Sequence, residues 1–509
     1  MCSLDCLPFE LLHLLCLYLG ASDVLALKAA CKKFHLWLGN SFWKKRVLSR
    51  CTGQFPCLAG KTVDWISCAI EREYTLELFG PTGHSVRFFQ QNGSSPGIDA
   101  VHIPPDHSDL LIVGDRGRTI TGFSFGRLLE CGKWDQVFSD GRTHLGWIWT
   151  IKSINDNMVT GSWDGALRSW VITNTDLVLN TSYKLHAPVL CSSFLDTNVV
   201  AASAFLLARV IDLRLSPDQQ SRCLAVRHQK AILCMDAPNE RQICGSKCCA
   251  DRNLVELHAG GDQWSSSYNS RSSLSSLENS DLGYDQGFSD PLTMLSSLED
   301  THGSNQPADS SAVVNLSSGD QVVLGGELPP ISTGEELTAS PSPVQDSPYR
   351  SGMVLYTGSD DHFMSGWDLR NPSRPVVKHQ FVNYPRKMSL MDNSELWVAE
   401  PPNRIHVFDI RRGALECVYT NELPGWVRGF GGLEVTPGGV YACGLHGTVD
   451  VFHPTKPIIP MNSKPIAEHI HGSPTCMAYS QGILTVGAGD GSIYLWTSKD
   501  KMKSTVDSG

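Results

Sequence analysis

The first strongly apolar stretch of the chain is LPFELLHLLCLYL, at residues 7–19. Its large side chains recur three or four positions apart on one predicted helix face, which carries Leu7, Leu11, Leu14, Leu15 and Tyr18. Gly20 can end this helix, and Ser22 can cap a second helix over residues 23–31. A third apolar segment carries Phe34, Trp37, Leu38, Phe42 and Trp43. The pattern predicts three short helices over residues 3–48.

A helical domain of this size buries only a small core and is marginal on its own. The leucines of its first helix exceed what such a core can hold. We therefore expect an apolar face that contacts a partner protein. The alternative is a helical cap that packs on the rest of the chain and has no partner.

Beyond residue 84 the pattern changes to short strands that repeat along the chain. Each repeat has a glycine-rich turn, then alternating apolar residues that end in a bulky side chain. The ends of successive repeats lie 41 to 47 residues apart, apart from one long interval, and fall at Phe123, Trp170, Ile211, Trp367, Phe408, Phe452 and Trp496. This period is typical of a WD-repeat β-propeller, in which each blade is a four-stranded sheet.

One repeat also carries the polar residues that brace a blade. His144 lies upstream of the turn residue Asp164 and the closing residue Trp170. In WD repeats generally, such a histidine, turn aspartate and closing tryptophan form a buried hydrogen-bonded brace, so the resemblance implies that these three side chains are structural.

The long interval contains a segment at 258–352 that is rich in serine and proline and poor in large apolar residues. Such a composition predicts a disordered insert, and it carries the acidic excess of the chain. Ser340, Ser342 and Ser347 precede prolines there and are candidate phosphosites or ordinary linker residues. The split repeat around the insert favours seven blades over eight.

The predicted fold is therefore mainly β with a small α domain, a three-helix unit followed by a seven-bladed propeller. The predicted divisions are a helical domain at 3–48, a helical or irregular linker at 49–80, propeller segments at 84–257 and 353–498, the insert at 258–352, and a disordered tail at 499–509.

Composition narrows the function classes. The chain has 509 residues and a formal net charge of −10, with no basic excess that would favour nucleic acid. No apolar run approaches membrane-spanning length, and Asp5 and Glu10 are unlike the basic start of a signal peptide. The 17 cysteines lack zinc-ligand spacing, which favours reduced thiols in the cytoplasm or nucleus and no metal or cofactor.

The N-terminal stretch resembles an F-box. Its features are the initial Leu-Pro, Glu10, the leucine ladder, the DVLAL second helix, the CKKF start of the third and the Phe-Trp end. Together with the downstream repeats, the chain resembles the F-box/WD-repeat proteins, which are substrate receptors of SCF-type cullin–RING ubiquitin ligases.

This resemblance implies that the F-box docks on a Skp-type adaptor, and through it on cullin and RING subunits. The adaptor-facing residues that it implies are Leu7, Pro8, Leu11, Leu14, Leu15, Val24, Leu25, Leu27, Cys31, Phe34 and Trp43. Some of them must instead form the core of the F-box, and the sequence does not sort the two groups.

The propeller of such a receptor binds a substrate protein, whose identity the sequence does not give. Loops that precede the first strand of a blade place Trp147, Trp149, Trp426 and Arg428 as candidate substrate-binding residues. The tryptophans can instead pack between blades. The chain has no nucleophile elbow and no phosphate-binding loop, so we expect a non-enzymatic receptor. The alternative is a WD-repeat scaffold unconnected with a ligase.

Overall fold

The computed structural model describes residues 8–30, 32–90, 96–173, 176–222, 224–238, 354–411, 413–468 and 470–498. Leu7, Cys31, the predicted insert at 258–352 with its serines, and the predicted tail at 499–509 lie outside the described residues.

The described N-terminal part is helical. Its helices are α1 (Phe9–Tyr18), α2 (Ala21–Ala30), α3 (Lys32–Trp37), α4 (Asn40–Leu48) and α5 (Trp65–Phe79). The third predicted segment is thus two helices, α3 and α4, which are separated at Leu38 and Gly39. Asp64 begins α5 by accepting hydrogen bonds from the backbone N–H groups of Ile66 (3.1 Å) and Ser67 (3.3 Å). None of the helices within the described ranges has the length and apolar character to cross a membrane.

The core of this helical module, residues 8–79, joins all of its helices. Val24 and Trp43 are completely buried, and Leu12 and Cys16 of α1 pack with them. Cys68 and Ala69 of α5 belong to the same cluster, so the linker helix is part of the module.

The rest of the described chain forms seven four-stranded antiparallel sheets, which confirms the predicted seven-bladed propeller. The strands of blades 1 to 3 are β2 (Ile98–His102), β3 (Leu110–Asp115), β4 (Ile120–Ser124), β5 (Asp135–Asp140), β6 (Ile148–Ile154), β7 (Asn157–Ser162), β8 (Ala166–Ile172), β9 (Leu177–Lys184), β10 (Ser192–Asp196), β11 (Val199–Ala204), β12 (Leu207–Asp212) and β13 (Ala225–Arg227). A further helix, α6 (Phe125–Cys131), joins β4 to β5.

Blades 4 to 6 follow the same order. Their strands are β14 (Ile232–Asp236), β15 (Val354–Ser359), β16 (Phe363–Asp368), β17 (Val377–Gln380), β18 (Lys387–Met391), β19 (Glu395–Glu400), β20 (Arg404–Asp409), β21 (Glu416–Glu422), β22 (Phe430–Val435), β23 (Val440–Gly444), β24 (Val449–His453) and β25 (Ile459–Pro460). In blade 4, β14 and β15 pair although they lie on either side of the long interval, so the fourth blade is the split one.

Blade 7 closes the ring with a strand from the other end of the propeller. It combines β26 (Pro474–Ser480), β27 (Ile483–Ala488) and β28 (Ile493–Ser498) with β1 (Ser85–Gln90). Strand β1 pairs with β28 from Ser85 opposite Ser498 to Gln90 opposite Ile493. Because β1 directly follows α5, the closing strand also links the helical module to the propeller.

Two blades carry the predicted polar brace, each with an additional threonine. In blade 2, His144 Nε2 lies 2.7 Å from the Thr160 hydroxyl, which also accepts a hydrogen bond from the Trp170 indole at 2.8 Å. His144 Nδ1 lies 3.3 Å from Asp164. The predicted trio is thus confirmed, and Thr160 is the residue that connects its two ends.

Blade 4 repeats this arrangement across the long interval. His228, before the interval, contacts Thr357 at 2.8 Å and Asp361 at 3.1 Å, both after it. The Trp367 indole donates to Thr357 at 2.7 Å. The brace therefore fixes the two halves of the split blade to each other.

Candidate interaction surfaces

The helical module packs on one face of the propeller, which we call the module face. This face is formed by turns that join the first two or the last two strands of a blade. Gly438, in such a turn of blade 6, lies so close to α5 that an added Cβ would come within 2.5 Å of Thr75 Oγ1. Gln54 forms an isolated β-bridge with Lys456, in the last turn of that blade.

Buried polar contacts reinforce this packing. Thr75 Oγ1 lies 2.8 Å from the Tyr441 hydroxyl, and Arg72 donates to His453 at 2.9 Å. Lys61 forms ion pairs with Asp392 (3.0 Å) and with the completely buried Glu395 (3.2 Å). On blades 5 and 6 the module face is consequently covered by the chain's own residues.

The exposed surface of α1 is strongly apolar. The large apolar side chains on it, with their exposed fractions, are Leu11 (53%), Leu14 (49%), Leu15 (39%), Leu17 (46%) and Tyr18 (84%). The other side of the helix faces the core through Leu12 (3%) and Cys16 (2%). Because all five exposed side chains lie within ten residues, they form an apolar patch, the α1 patch, of the kind that marks an interaction site.

The structure sorts the predicted adaptor-facing residues. Pro8, Leu11, Leu14 and Leu15 are exposed, whereas Leu25 and Leu27 are half-buried. Val24, Phe34 and Trp43 are buried in the module core and are not accessible to a partner in this structure. The described candidates for adaptor contact are thus concentrated on α1. The α1 patch also includes Leu17 and Tyr18, which were not among the predicted adaptor-facing residues.

Glu73 holds α1 in place. Its carboxylate contacts the Arg46 guanidinium, with a shortest distance of 2.5 Å, and accepts a hydrogen bond from the Ala21 N–H at 2.7 Å. Arg46 in turn donates to the carbonyl oxygens of Cys16 and Leu19, both at 2.5 Å. The end of α1, the start of α2 and α4 are therefore tied to α5, and the α1 patch is fixed relative to the propeller.

The opposite face of the propeller, which we call the open face, has no helices on it in the described chain. It is formed by the turns between second and third strands and by the connections between blades. Large apolar side chains project from these loops, namely Leu145 (73% exposed), Phe205 (46%), Val382 (81%) and Val427 (69%). None of these four residues was predicted from the sequence, because single apolar residues in loops produce no periodic pattern.

The predicted substrate-binding residues lie on or beneath the open face. Trp147 and Trp149 are half-buried and pack beside Trp163, with ring centroids 6.5 and 5.8 Å apart. The Arg116 guanidinium lies 5.1 Å from the Trp147 ring centre, which is a cation–π geometry. Arg428 is exposed.

Trp426 is different from the other predicted residues. Its side chain is 6% exposed and packs 4.9 Å from the Phe430 ring and 5.3 Å from the His446 ring. Trp426 therefore packs beneath its loop, and its neighbours Val427 and Arg428 form the exposed part of the loop.

The first strands of the blades line the centre of the ring and bring ionisable groups together there. Burial raises the pKa of Asp236 and of Glu434, although the charge of Lys152 opposes both shifts. Burial also lowers the pKa of Lys387. Within the described residues, no group of three or more His, Cys, Asp or Glu side chains is placed to hold a metal ion.

Three curated proteins with similar sequences carry F-box/WD-repeat names. The chain is 28% identical over 260 residues to F-box/WD repeat-containing protein 9 of Bos taurus and 27% identical over 256 residues to the protein of the same name of Homo sapiens. The chain resembles the F-box/WD-repeat family. In each case the match covers 49% of this chain and 54% of the relative, and no family model matches the chain.

A third F-box/WD-repeat relative is more distant. The chain is 26% identical over 195 residues to F-box/WD repeat-containing protein mec-15 of Caenorhabditis elegans, covering 34% of this chain and 45% of that protein. The chain therefore spans about half the length of the curated F-box/WD-repeat relatives that it matches.

Proposed function

We propose that the chain is the substrate-recognition subunit of an SCF-type cullin–RING ubiquitin ligase. In this proposal the helical module docks on a Skp-type adaptor through the α1 patch, and the propeller binds a substrate protein on its open face. The chain makes no covalent bond in ubiquitin transfer and needs no cofactor. It works in the cytoplasm, the nucleus or both.

The observation that carries this proposal is the placement of two exposed apolar surfaces on one braced unit. Leu11, Leu14 and Leu15 lie on the module, whereas Val382 and Val427 lie on the propeller face away from it. A receptor with this arrangement holds two partners at a fixed separation. It thereby raises the effective concentration of a substrate lysine beside the ubiquitin thioester.

The internal ties of the module support the same function. Glu73 and Arg46 anchor α1 to α5, and Thr75 and Lys61 anchor the module to the propeller. A flexible tether would spread the substrate over many positions and lower its effective concentration at the thioester. The buried contacts suit a rigid receptor.

The test is co-expression of the full-length chain with a Skp-type adaptor, followed by size-exclusion chromatography. We expect the wild-type chain and the adaptor to elute together. Leu14→Asp should weaken the complex by tenfold or more, because it places a charge in the centre of the apolar contact. Val178→Asp is the matched control, since Val178 is 51% exposed on the outer strand of blade 2.

Two results would contradict the proposal. One is a wild-type chain that never elutes with the adaptor, which would favour the WD-repeat scaffold with a helical cap. The other is a Leu14→Asp chain that binds the adaptor no more weakly than the Val178→Asp control, which would show that binding does not use the α1 patch.

A further inference from the structure

The outer part of blade 5 holds a cysteine, a histidine and a glutamate that the receptor function does not use. Cys417 lies on the outermost strand, β21, and is exposed. His406 lies on the neighbouring strand β20 and Glu400 at the end of β19. Both of the latter side chains are buried, with exposed fractions of 8% and 1%.

Hydrogen bonds connect these groups in a line. His406 Nε2 donates to Glu400 Oε2 at 2.8 Å, while His406 Nδ1 lies 2.9 Å from the Thr420 hydroxyl. The Cys417 sulfur lies 3.5 Å from the same hydroxyl. The second oxygen of Glu400 accepts the backbone N–H of Asn383, which fixes the carboxylate. A nucleophile, a base and a group that orients the base form the arrangement that activates cysteines.

A β-bulge brings Cys417 onto the face of the sheet that His406 occupies. His406 pairs with Thr420 and Val407 pairs with Tyr419, but Phe408 then pairs with Cys417 rather than with Val418. Side chains alternate between faces along a strand, so without this extra residue Cys417 would point to the other side. The bulge thus places the thiol and the imidazole together.

The electrostatics of the site favour a charged pair. Burial opposes ionisation of Cys417, but its hydrogen bonds with His406 and Thr420 outweigh burial and lower the pKa of the thiol. Burial likewise opposes protonation of His406, but Cys417 and Glu400 outweigh it and raise the pKa of the imidazole. The other charged groups that act on the site are Arg404, which acts on Glu400, and His379, whose pKa burial and His406 lower.

We propose that Cys417 is a covalent modification site for soft electrophiles of the α,β-unsaturated carbonyl class, with His406 as its base and Glu400 as the positioning residue. The thiolate sulfur forms a bond to the β-carbon of the electrophile, and the π-electron pair moves to give an enolate. The imidazolium of His406 returns the proton taken from the thiol to the enolate. The net reaction adds S–H across the double bond and requires no oxidant.

A matched comparison exists within the same chain. Cys131 is the other exposed free cysteine among the described residues, and its thiol donates a hydrogen bond to the Arg127 carbonyl oxygen at 2.8 Å. The eight other described cysteines are buried or half-buried. Both Cys417 and Cys131 are exposed, but only Cys417 is connected to a histidine and a glutamate.

The test is competitive alkylation of the full-length chain by a limiting amount of N-ethylmaleimide, with the modified peptides quantified by mass spectrometry. At pH 7 we expect Cys417 to react at least about threefold faster than Cys131, because each unit of lowered pKa gains more in thiolate than it loses in nucleophilicity. The advantage should shrink as the pH rises toward 9, because a lowered thiol pKa matters less where ordinary thiols are also ionised. Equal rates at pH 7 would overturn the proposal.

Three variants separate activation from simple exposure. His406→Gln should abolish the rate advantage of Cys417 and give it the pH profile of Cys131. Glu400→Gln should reduce this rate advantage, and Thr420→Val should reduce it by a smaller amount. An unchanged rate and profile in a folded His406→Gln chain would overturn the proposal. Near-ultraviolet circular dichroism checks the fold, and if that variant is unfolded the wild-type pH profile decides, since it needs no substitution.

Discussion

The two faces of the propeller are stabilised in different ways. On the module face, ion pairs and buried hydrogen bonds join separate parts of the chain, as in the pairs of Lys61 with Asp392 and of Thr75 with Tyr441. On the open face, loops of blades 2 and 4 are held from within their own blades by the braces of His144 and His228. These two blades therefore need no contact with the helical module to hold their loops, and Leu145, next to His144, stays exposed. Substitutions on the two faces test this difference, and their expected effects on stability range from several kcal/mol to almost none.

The largest effect should come from Glu73→Ala in the helical module. Arg46 is 3% exposed and would lose the carboxylate that compensates its charge. Removal of one partner from a buried ion pair costs about 3–5 kcal/mol. We expect this loss in the free energy of unfolding of the module, measured by urea denaturation together with hydrogen exchange of α1, α2 and α4.

The matched control is Glu77→Ala on the same helix, since Glu77 is exposed. A surface substitution of this kind should change the free energy of unfolding by less than about 0.5 kcal/mol. If Glu73→Ala is no more destabilising than Glu77→Ala, then Glu73 does not hold the module together. Protection of the blade 2 and blade 4 amides should survive in both variants, because those braces lie within their own blades.

The next effect tests the open face through Asp361. Burial opposes its ionisation, but hydrogen bonds from His228 and the Gln229 N–H outweigh burial and lower the pKa of Asp361 to about 2 from an ordinary 3.8. A carboxyl with a lowered pKa in the folded state stabilises the fold above its unfolded pKa, and this contribution disappears as the pH falls toward 2. Asp361→Asn should therefore cost about 2 kcal/mol at pH 7 and progressively less between pH 4 and pH 2.

Asp360→Asn is the control for this pH dependence. Asp360 pairs at 3.3 Å with Lys230, whose side chain is half exposed, and such pairs contribute little to stability. Urea denaturation of both variants at pH 7, 5, 4 and 3 would measure the difference. A loss in Asp361→Asn that stays constant down to pH 3 would contradict the brace.

A smaller effect should come from Thr75→Val at the module face. The substitution keeps the shape of a completely buried side chain and removes its hydrogen bond to the Tyr441 hydroxyl. The expected loss in the free energy of unfolding is about 1 kcal/mol. Urea denaturation measures it, and Glu77→Ala is again the control. A loss as large as that of Glu73→Ala would mean that the module depends on this contact for its structure.

The sequence predicted the propeller because its blades repeat along the chain. The spacing of Trp170, Trp367 and Trp496 predicted the number of blades, and the His144 brace followed from one repeat. Thr160 escaped prediction because a threonine within a strand is ordinary by composition, and only the geometry shows that two side chains share its hydroxyl.

The site was less predictable because it depends on which side of an element a residue occupies. Helical spacing placed Leu11, Leu14 and Leu15 on one face but did not separate this exposed face from the buried positions of Val24 and Trp43. The Cys417 arrangement depends on a β-bulge, and a shift of one residue in strand pairing has no signature in the local composition. The α1 patch and the Cys417 arrangement could therefore be recognised only from the tertiary structure.

The smallest effect on stability should come from Val427→Asp on the open face, although its effect on binding should be large. Val427 is 69% exposed, so the substitution should change the free energy of unfolding by less than about 0.5 kcal/mol. Proximity labelling in cells under proteasome inhibition would compare the wild type, Val427→Asp and the Val178→Asp control. If the open face binds substrate, Val427→Asp alone loses the substrate proteins while all three retain the adaptor. An unchanged set of labelled proteins in Val427→Asp would show that the substrate does not bind at this part of the open face.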